Sequence, residues 1–247
     1  MLDAFGPGAI VVTRTDVANS TPVNIGYAQS LNLEISGNLK ELFGQNQYPI
    51  DVARGTVKIT GKINAAVISG LAWNSTFFGA SFSTGSLNWA NGESQAIPTT
   101  PFTVTAVNAA QFDKDLGVIA AATGLPMIRV ASGPTTGQYS VDESTGVYTF
   151  AAADTGKTML LTYSYKVPAS GQTLNISQTI LGYSPIFRMD YYTVRNNNAF
   201  LVRLNQCNAS KIAMATKLED FVMPEVDFGA FADATGNVGK ISFPEIS

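Results

Sequence analysis

The stretches Leu31-Asn-Leu-Glu-Ile-Ser36 and Thr56-Val-Lys-Ile-Thr-Gly-Lys-Ile63 decide the fold class of this chain. In both, apolar and polar residues alternate with a period of two, which is typical of strands that bury one face. An antiparallel pairing that places Ile35 opposite Val57 and Glu34 opposite Lys58 keeps one face apolar and the other polar. The pattern therefore predicts a mainly β fold, an antiparallel β-sandwich or half-barrel.

The connection between these strands, residues 37–55, is much longer than the roughly two to five residues of an ordinary hairpin loop. It carries apolar side chains around a polar tip, a composition too apolar for a solvent loop. One interpretation is a loop folded over its own core, and the other is a long hairpin arm that docks on a neighbouring copy. The residues predicted to form the docking arm are Leu42, Phe43, Gln45, Asn46, Gln47, Tyr48 and Ile50.

Changes in composition divide the middle of the chain. Residues 69–79 predict one short flanking helix with Ser69 as its N-cap, and the Ser-, Gly- and Asn-rich residues 80–100 predict a loop. Short β runs separated by turns then predict a small inserted β domain over residues 98–166. Residues 1–97 and 167–247 are left as the main β core.

The last third of the chain returns to the strand pattern. Strands are predicted over residues 174–180, 186–194, 199–206 and 211–218. Two closing strands are predicted on either side of the turn Asp233-Ala-Thr-Gly-Asn237.

The residue types limit the chemistry. Histidine is absent from the 247 residues and Cys207 is the only cysteine, so a Ser-His-Asp triad is impossible and the common metal ligands are missing or isolated. We predict no catalytic, cofactor or metal site and no enzyme activity, with Cys207 as a small buried side chain. Carboxylate pairs acting as acid and base, such as Glu34 with Asp51 or Asp190 with Glu219, stay open as an alternative.

The charge balance argues against several partners. The chain has 15 basic and 18 acidic residues and a pI near 4.9, without the Lys and Arg clusters that nucleic-acid binding requires. Only 13% of residues are charged and 45% are hydrophobic, which predicts a surface largely covered by other copies. Residues 1–20 lack a basic segment followed by an apolar stretch, so no secretory signal peptide is expected. The sequence contains no uncharged apolar run of about 20 residues, so no membrane partner is predicted.

Three segments carry a resemblance to one family. Residues 25–36 (Ile-Gly-Tyr-Ala-Gln-Ser-Leu-Asn-Leu-Glu-Ile-Ser) and 40–62 resemble the opening of bacteriophage tail tube proteins. Pro224-Glu-Val-Asp-Phe228 with residues 230–238 resembles the closing hairpin of that family. Residues 98–166 are similar to a small β module of phage structural proteins, through residues 112–118, 137–141 and 146–154.

The resemblance implies a function. It implies hexameric rings of this chain that stack into a tube, contact other phage tail proteins and let phage DNA pass without specific binding. The protein would then reside in the virion tail, and in the host cytoplasm during assembly. The inserted domain is expected on the outer surface, which favours a non-contractile tail. The face expected to line the lumen comprises Asn32, Glu34, Ser36, Thr56, Lys58, Thr60, Asn175, Ser177 and Thr179.

Two other functions stay open from the sequence. A capsid decoration or tail-terminator subunit would share the β architecture but join a different lattice. A carbohydrate-binding β protein would use exposed aromatic rings, for which Trp73, Trp89, Tyr191 and Tyr192 are the candidates.

Overall fold

Strands dominate the computed structural model, which describes residues 8–67, 69–195, 198–216, 218 and 221–243. The strands are β1 (Gly8–Arg14), β2 (Val23–Phe43), β3 (Pro49–Ala65), β4 (Phe82–Ala96), β5 (Thr103–Thr105), β6 (Phe112–Ala120), β7 (Ile128–Arg129), β8 (Gln138–Asp142), β9 (Val147–Phe150), β10 (Thr158–Leu174), β11 (Phe187–Arg195), β12 (Asn198–Ala213), β13 (Glu225–Phe231) and β14 (Gly239–Ser242). The predicted mainly β class is confirmed.

The chain forms two compact units, which we call the main unit and the inserted unit. The main unit comprises Met1–Ser81 and Ile176–Ser247, and the inserted unit comprises Phe82–Asn175. The predicted inserted domain, residues 98–166, lies within the second unit. The predicted loop over residues 80–100 is wrong, because β4 pairs along most of β10, from Phe82 opposite Leu174 to Ala96 opposite Thr158.

The large sheet of the main unit closes on itself. Its strands follow the order β11-β1-β2-β3-β13-β12, and β11 also pairs with β12. All of these pairs are antiparallel. The strands β13 and β14 lie end to end along one edge of β12, so the closing strands flank the predicted turn but do not pair with each other as a hairpin.

Alternate residues of these strands build the main core. Its largest fully buried side chains are Ile10, Ile63, Phe187, Met189 and Phe228. They project from four strands of the circuit, β1, β3, β11 and β13, and Phe187 and Met189 alternate along β11, as a period-two pattern requires when one face is buried. Partly buried Leu31, Leu33 and Ile59 extend this core along β2 and β3.

The β2–β3 register differs from the prediction by two residues. Ile35 lies opposite Ile59 and Glu34 opposite Thr60, so the direct Glu34–Lys58 pair is wrong, although both side chains are on the same face. On its other edge, β3 pairs with β13 so that Gly61 lies opposite Phe228, and a Cβ atom on Gly61 would lie 2.3 Å from Cζ of that ring. The aromatic ring therefore covers the glycine and fills the space above it.

The predicted flanking helix is confirmed in shortened form. A helix, α1 (Gly70–Trp73), continues into a π-helical turn at Asn74–Phe78. Ser69 caps it, because its Oγ accepts a hydrogen bond from the Ala72 amide at 3.2 Å. The turn ends at Gly79, whose φ of 62° suits a residue without a side chain.

Two further strand predictions are wrong. No strand forms over residues 175–180, because β10 ends at Leu174 and the next strand begins at Phe187. Strands predicted separately over residues 199–206 and 211–218 form one strand, β12, which ends at Ala213; Lys217, Glu219 and Asp220 lie outside the described residues.

The inserted unit has its own core between two small sheets. One sheet has the order β4-β10-β6 and the other the order β5-β9-β8-β7, in which only the short β7–β8 pair is parallel among the described residues. Tyr148, Tyr163, Met159 and Leu161 are fully buried between them. Strands β8 and β9 form a hairpin, in which Tyr139 pairs with Phe150 and Asp142 with Val147.

Candidate assembly surface

The long connection predicted between the two deciding strands is itself a β-hairpin. Strand β2 continues to Phe43 and β3 starts at Pro49, so only residues 44–48 connect them. A bulge between Gly37 and Leu39 shifts the register at its base. We call residues 35–57 the arm, and the predicted long hairpin arm is confirmed as a structural element.

The arm continues the apolar face of the core into solvent. Along alternate positions of β2, Leu31 and Leu33 are partly buried against the core, while Ile35 is 57% exposed and Leu39 is 60% exposed. On β3, Ile63 is fully buried and Val57 is half exposed. The same sequence pattern that buries residues in the closed sheet thus exposes them farther along the two strands.

The apolar area on the arm is large for a monomer. Eight large apolar side chains there are exposed by about half or more: Ile35, Leu39, Leu42, Phe43, Tyr48, Ile50, Val52 and Val57. Contiguous exposed apolar surface of this kind is uncommon on monomers and usually marks a site of interaction with another molecule.

Both edges of the arm also carry unpaired backbone groups. The outer edge of β2 pairs with β1 only over residues 23–28, and that of β3 pairs with β13 only over residues 59–64. Among the residues that the structure describes, no third strand joins the arm. Open edges of this kind are templates for pairing with another chain.

The structure brings all seven predicted arm residues to the tip of the hairpin. Leu42, Phe43, Tyr48 and Ile50 are exposed, and the amide side chains Gln45, Asn46 and Gln47 form the connection. No charged residue occurs between Glu41 and Asp51. The tip is therefore an uncharged surface of apolar and amide groups.

The predicted lumen face is brought together only in part. Asn32, Glu34 and Ser36 of β2 lie beside Thr60 and Lys58 of β3 on one outward face, with Thr56 at the bulge. The remaining three residues lie elsewhere. Asn175 belongs to the inserted unit, and Ser177 and Thr179 lie in the segment without strand structure.

Acidic side chains from β13 balance part of the positive charge on this face. Lys62 Nζ lies 2.8 Å from Glu225 Oε2, and this contact lowers the pKa of Glu225 and raises that of Lys62. Lys211 Nζ lies 4.0 Å from carboxylate oxygens of both Glu225 and Asp227. Lys58 makes no ion pair with any described residue. One cation of this face is thus free and the others are paired.

A hollow of about 820 Å³ lies beside the π-helical turn of the main unit. Its apolar lining includes Phe77, Phe78, Ile176, Ile180 and Tyr183, and the rest of the lining is Gly79, Ala80, Ser177, Gln178, Thr179, Ser184, Ala209 and Ser210. None of these residues is charged. The sequence prediction missed this hollow, although no charged residue occurs between Lys62 and Glu93 or between Lys166 and Arg188.

The side chains that the sequence offers for chemistry are buried, paired with charged groups or far from each other. Cys207 is fully buried, as predicted, and burial raises the pKa of its thiol to about 12. Asp190 is paired with Arg188 at 2.9 Å and with Arg203, and Glu219 lies outside the described residues.

The second carboxylate pair is widely separated, and the aromatic candidates are divided between the two units. Asp51 lies opposite Leu42, eight positions along β2 from Glu34, or about 26 Å along the strand. Tyr191 and Tyr192 are neighbours on β11 and project to opposite faces, while Trp73 and Trp89 belong to different units. Within the described ranges, no group of three or more potential metal ligands occurs.

Comparisons with protein-family models and with curated proteins gave no match to this chain. In the described part of the chain, no helix has the length and apolar character to cross a membrane.

Proposed function

We propose that this chain is a structural virion protein that assembles into stacked hexameric rings, which form the tail tube of a bacteriophage and conduct its DNA. The observation that carries the proposal is the arm, with its exposed apolar side chains and two open strand edges. The sequence resemblance is our reason to propose a tail tube, and the exposed arm is our reason to propose self-assembly.

The arm favours assembly on energetic grounds. A two-stranded hairpin is marginally stable alone in water and needs further strands or a packed face. Covering apolar area contributes roughly 25 cal/mol per Å², which offsets the cost of association when the fit is good. A contact between the arm and a different surface of the next copy is heterologous, and such contacts produce rings or open filaments.

The polar face of β2 and β3 suits a wall along which DNA slides. A wall rich in small polar groups, with most of its cations paired to carboxylates, offers few sites for phosphate contacts. In this proposal the inserted unit lies outside the tube, in a non-contractile tail.

Imaging the purified protein over a range of concentrations tests the proposal. Negative-stain electron microscopy is expected to show open tubes of uniform width above a threshold concentration. The double variant Tyr48→Ser and Ile50→Ser is expected to raise that threshold by about tenfold or more, because each side chain loses apolar burial. The matched control, Val107→Ser and Leu125→Ser, removes two similarly exposed apolar side chains from the inserted unit and is expected to assemble normally.

Other outcomes separate the alternatives. Discrete rings or trimers that never extend would favour the decoration or tail-terminator function. A monomer at every concentration would overturn the proposal.

A further inference from the structure

We propose that the hollow beside the π-helical turn receives the arm tip of a second copy, and that residues 176–180 become a strand when it docks. The inference rests on the proposed function, because it assumes that copies join head to tail. It names the surface that accepts the arm.

The hollow has the size and composition for this occupant. Its volume of about 820 Å³ is enough for several side chains, within the roughly 300–1,000 Å³ of sites that enclose whole ligands. It offers the rings of Phe77, Phe78 and Tyr183 beside hydroxyl and amide groups. Apolar side chains and hydrogen-bonding amides are the two components of the arm tip.

The two surfaces also match in charge. The tip contains no charged residue from Leu42 to Ile50, and no charged residue lines the hollow. Burying a charge without a partner is costly, so a surface kept free of charge is suited to being covered. Charges begin on either side of the tip, at Glu41 and Asp51, where they reach the rim of such a contact.

The segment 176–180 has the sequence of a strand but no strand partner. Ile176 and Ile180 are exposed by 74% and 86%. In a strand these two isoleucines would lie on one face, and Ser177 and Thr179 would lie on the other. This alternation predicted a strand that the single chain does not form among its described residues. A strand requires a neighbour to accept its hydrogen bonds, and the open edges of the arm provide one by β-strand addition.

The occupant is a second copy rather than the same chain. None of the arm residues lines the hollow of its own main unit, so the tip and the hollow are separate in the structure. The exposed apolar side chains of the arm mark a surface that another molecule covers. Tip and hollow therefore complement each other between copies.

Disulfide trapping between two variants tests the contact. One protein carries Ile50→Cys at the arm tip and the other carries Ile180→Cys in the hollow; native Cys207 is fully buried and stays unreactive. The two proteins are mixed at a concentration that gives tubes and are then mildly oxidised. We expect at least tenfold more crosslinked heterodimer than in a control. The control pairs Ile50→Cys with Val107→Cys, an exposed apolar position of the inserted unit.

The outcomes separate this inference from the proposed function. Tubes with no more Ile50–Ile180 than Ile50–Val107 crosslinking would overturn the docking site and leave the tube function standing. Absence of any assembly would overturn the proposed function and the docking contact with it.

Amide hydrogen exchange tests the strand. The amides of residues 176–180 are expected to exchange at least tenfold more slowly in tubes than in unassembled protein, because docking gives them hydrogen-bond partners. Equal exchange in both states would overturn the strand addition even if the crosslink forms.

Discussion

The inserted unit and the arm differ in whether their own chain provides partners for their polar groups and apolar side chains. In the inserted unit, buried Tyr163 donates a hydrogen bond to Glu93 at 2.5 Å and accepts one from the Asn108 amide at 3.2 Å. In the arm, apolar side chains and strand edges have no such partners among the described residues. The first region finds its partners within one chain, and the second does not among the described residues.

A second group of buried tyrosines extends this contrast. Tyr139 and Tyr148 donate to the two carboxylate oxygens of Asp115, at 2.7 and 3.0 Å. Burial, together with the Asp115 carboxylate, raises the pKa of both hydroxyls, so they stay protonated and act as donors. The Asp115 side chain is 3% exposed, and Arg129 lies 3.5 Å away. The Asp115 carboxylate is therefore a buried acceptor within the inserted unit.

Removing the arm is expected to have the largest effect. Because Ser36 lies opposite Lys58, an Asn-Gly turn replacing residues 37–57 closes the hairpin with a two-residue loop. Assembly should be abolished, since the exposed apolar area is gone, while the free energy of unfolding of the main unit changes little. Negative-stain imaging and denaturant unfolding measure the two effects.

The matched control removes the inserted unit instead. Its two ends are adjacent, since Phe82 pairs with Leu174, so a short Gly-Ser linker can join Ser81 to Ile176. This variant should still form tubes. Tubes from the arm-replaced protein, or none from the variant lacking the inserted unit, would contradict the division of roles.

A substitution where the core meets the arm is expected to have a smaller effect, on the stability of the main unit. Gly61→Ala places a methyl group against the buried ring of Phe228, so it should lower the free energy of unfolding of the main unit by about 1–3 kcal/mol. In a Trp89→Phe background, Trp73 fluorescence reports on the main unit during denaturation, because the chain has two tryptophans.

Gly229→Ala is the control for that variant. Gly229 lies on the neighbouring strand, and its new Cβ would meet only ordinary contacts, 3.7 Å from Asn208 Oδ1 and 3.9 Å from the Ile59 carbonyl oxygen. A loss as large as that of Gly61→Ala would show that the Phe228 ring is not the cause.

This junction also shows how far the sequence predicts the fold. Alternation at Leu31–Ile35 predicts strands and their buried face correctly, because period two is a local property. The predicted β2–β3 register is wrong by two residues, because a shift of two leaves every side chain on the same face and alternation does not distinguish the two registers. The strand β4 was missed, because its Ser, Gly and Asn residues form a strand only when paired with β10.

The candidate assembly surface is likewise predicted only where the local sequence pattern indicates it. The sequence predicts the seven arm residues because apolar side chains around a polar tip conflict with a solvent loop. The hollow was not, because residues 77–80 and 176–184 meet only in the folded main unit. Long-range packing, rather than local pattern, places those residues together.

Within the inserted unit, Tyr163→Phe is expected to cost about 1–2 kcal/mol, because Glu93 and Asn108 lose a buried hydrogen-bond partner. Trp89 fluorescence in a Trp73→Phe background measures unfolding of this unit. Assembly should not change. Tyr165→Phe is the control, since Tyr165 is partly buried and its hydroxyl accepts a single hydrogen bond, from Asn88 at 3.0 Å. An equal loss in the two variants would argue against a special role for the Tyr163 network.

The smallest effect is a pH dependence confined to the inserted unit. Burial acts to raise the pKa of Asp154, but the Lys157 ammonium at 2.6 Å and the Gly137 amide at 2.9 Å outweigh it, and the pKa lies below its ordinary value of 3.8. A lowered carboxyl pKa stabilises the fold above the unfolded value and loses that contribution as pH falls through the folded value. Asp154→Asn should therefore be less stable than the parent by about 1 kcal/mol at pH 7, and this gap should close below about pH 4. Glu41→Gln on the exposed arm should show no such gap, and a gap that is constant from pH 7 to pH 2.5 would exclude the carboxylate as its source.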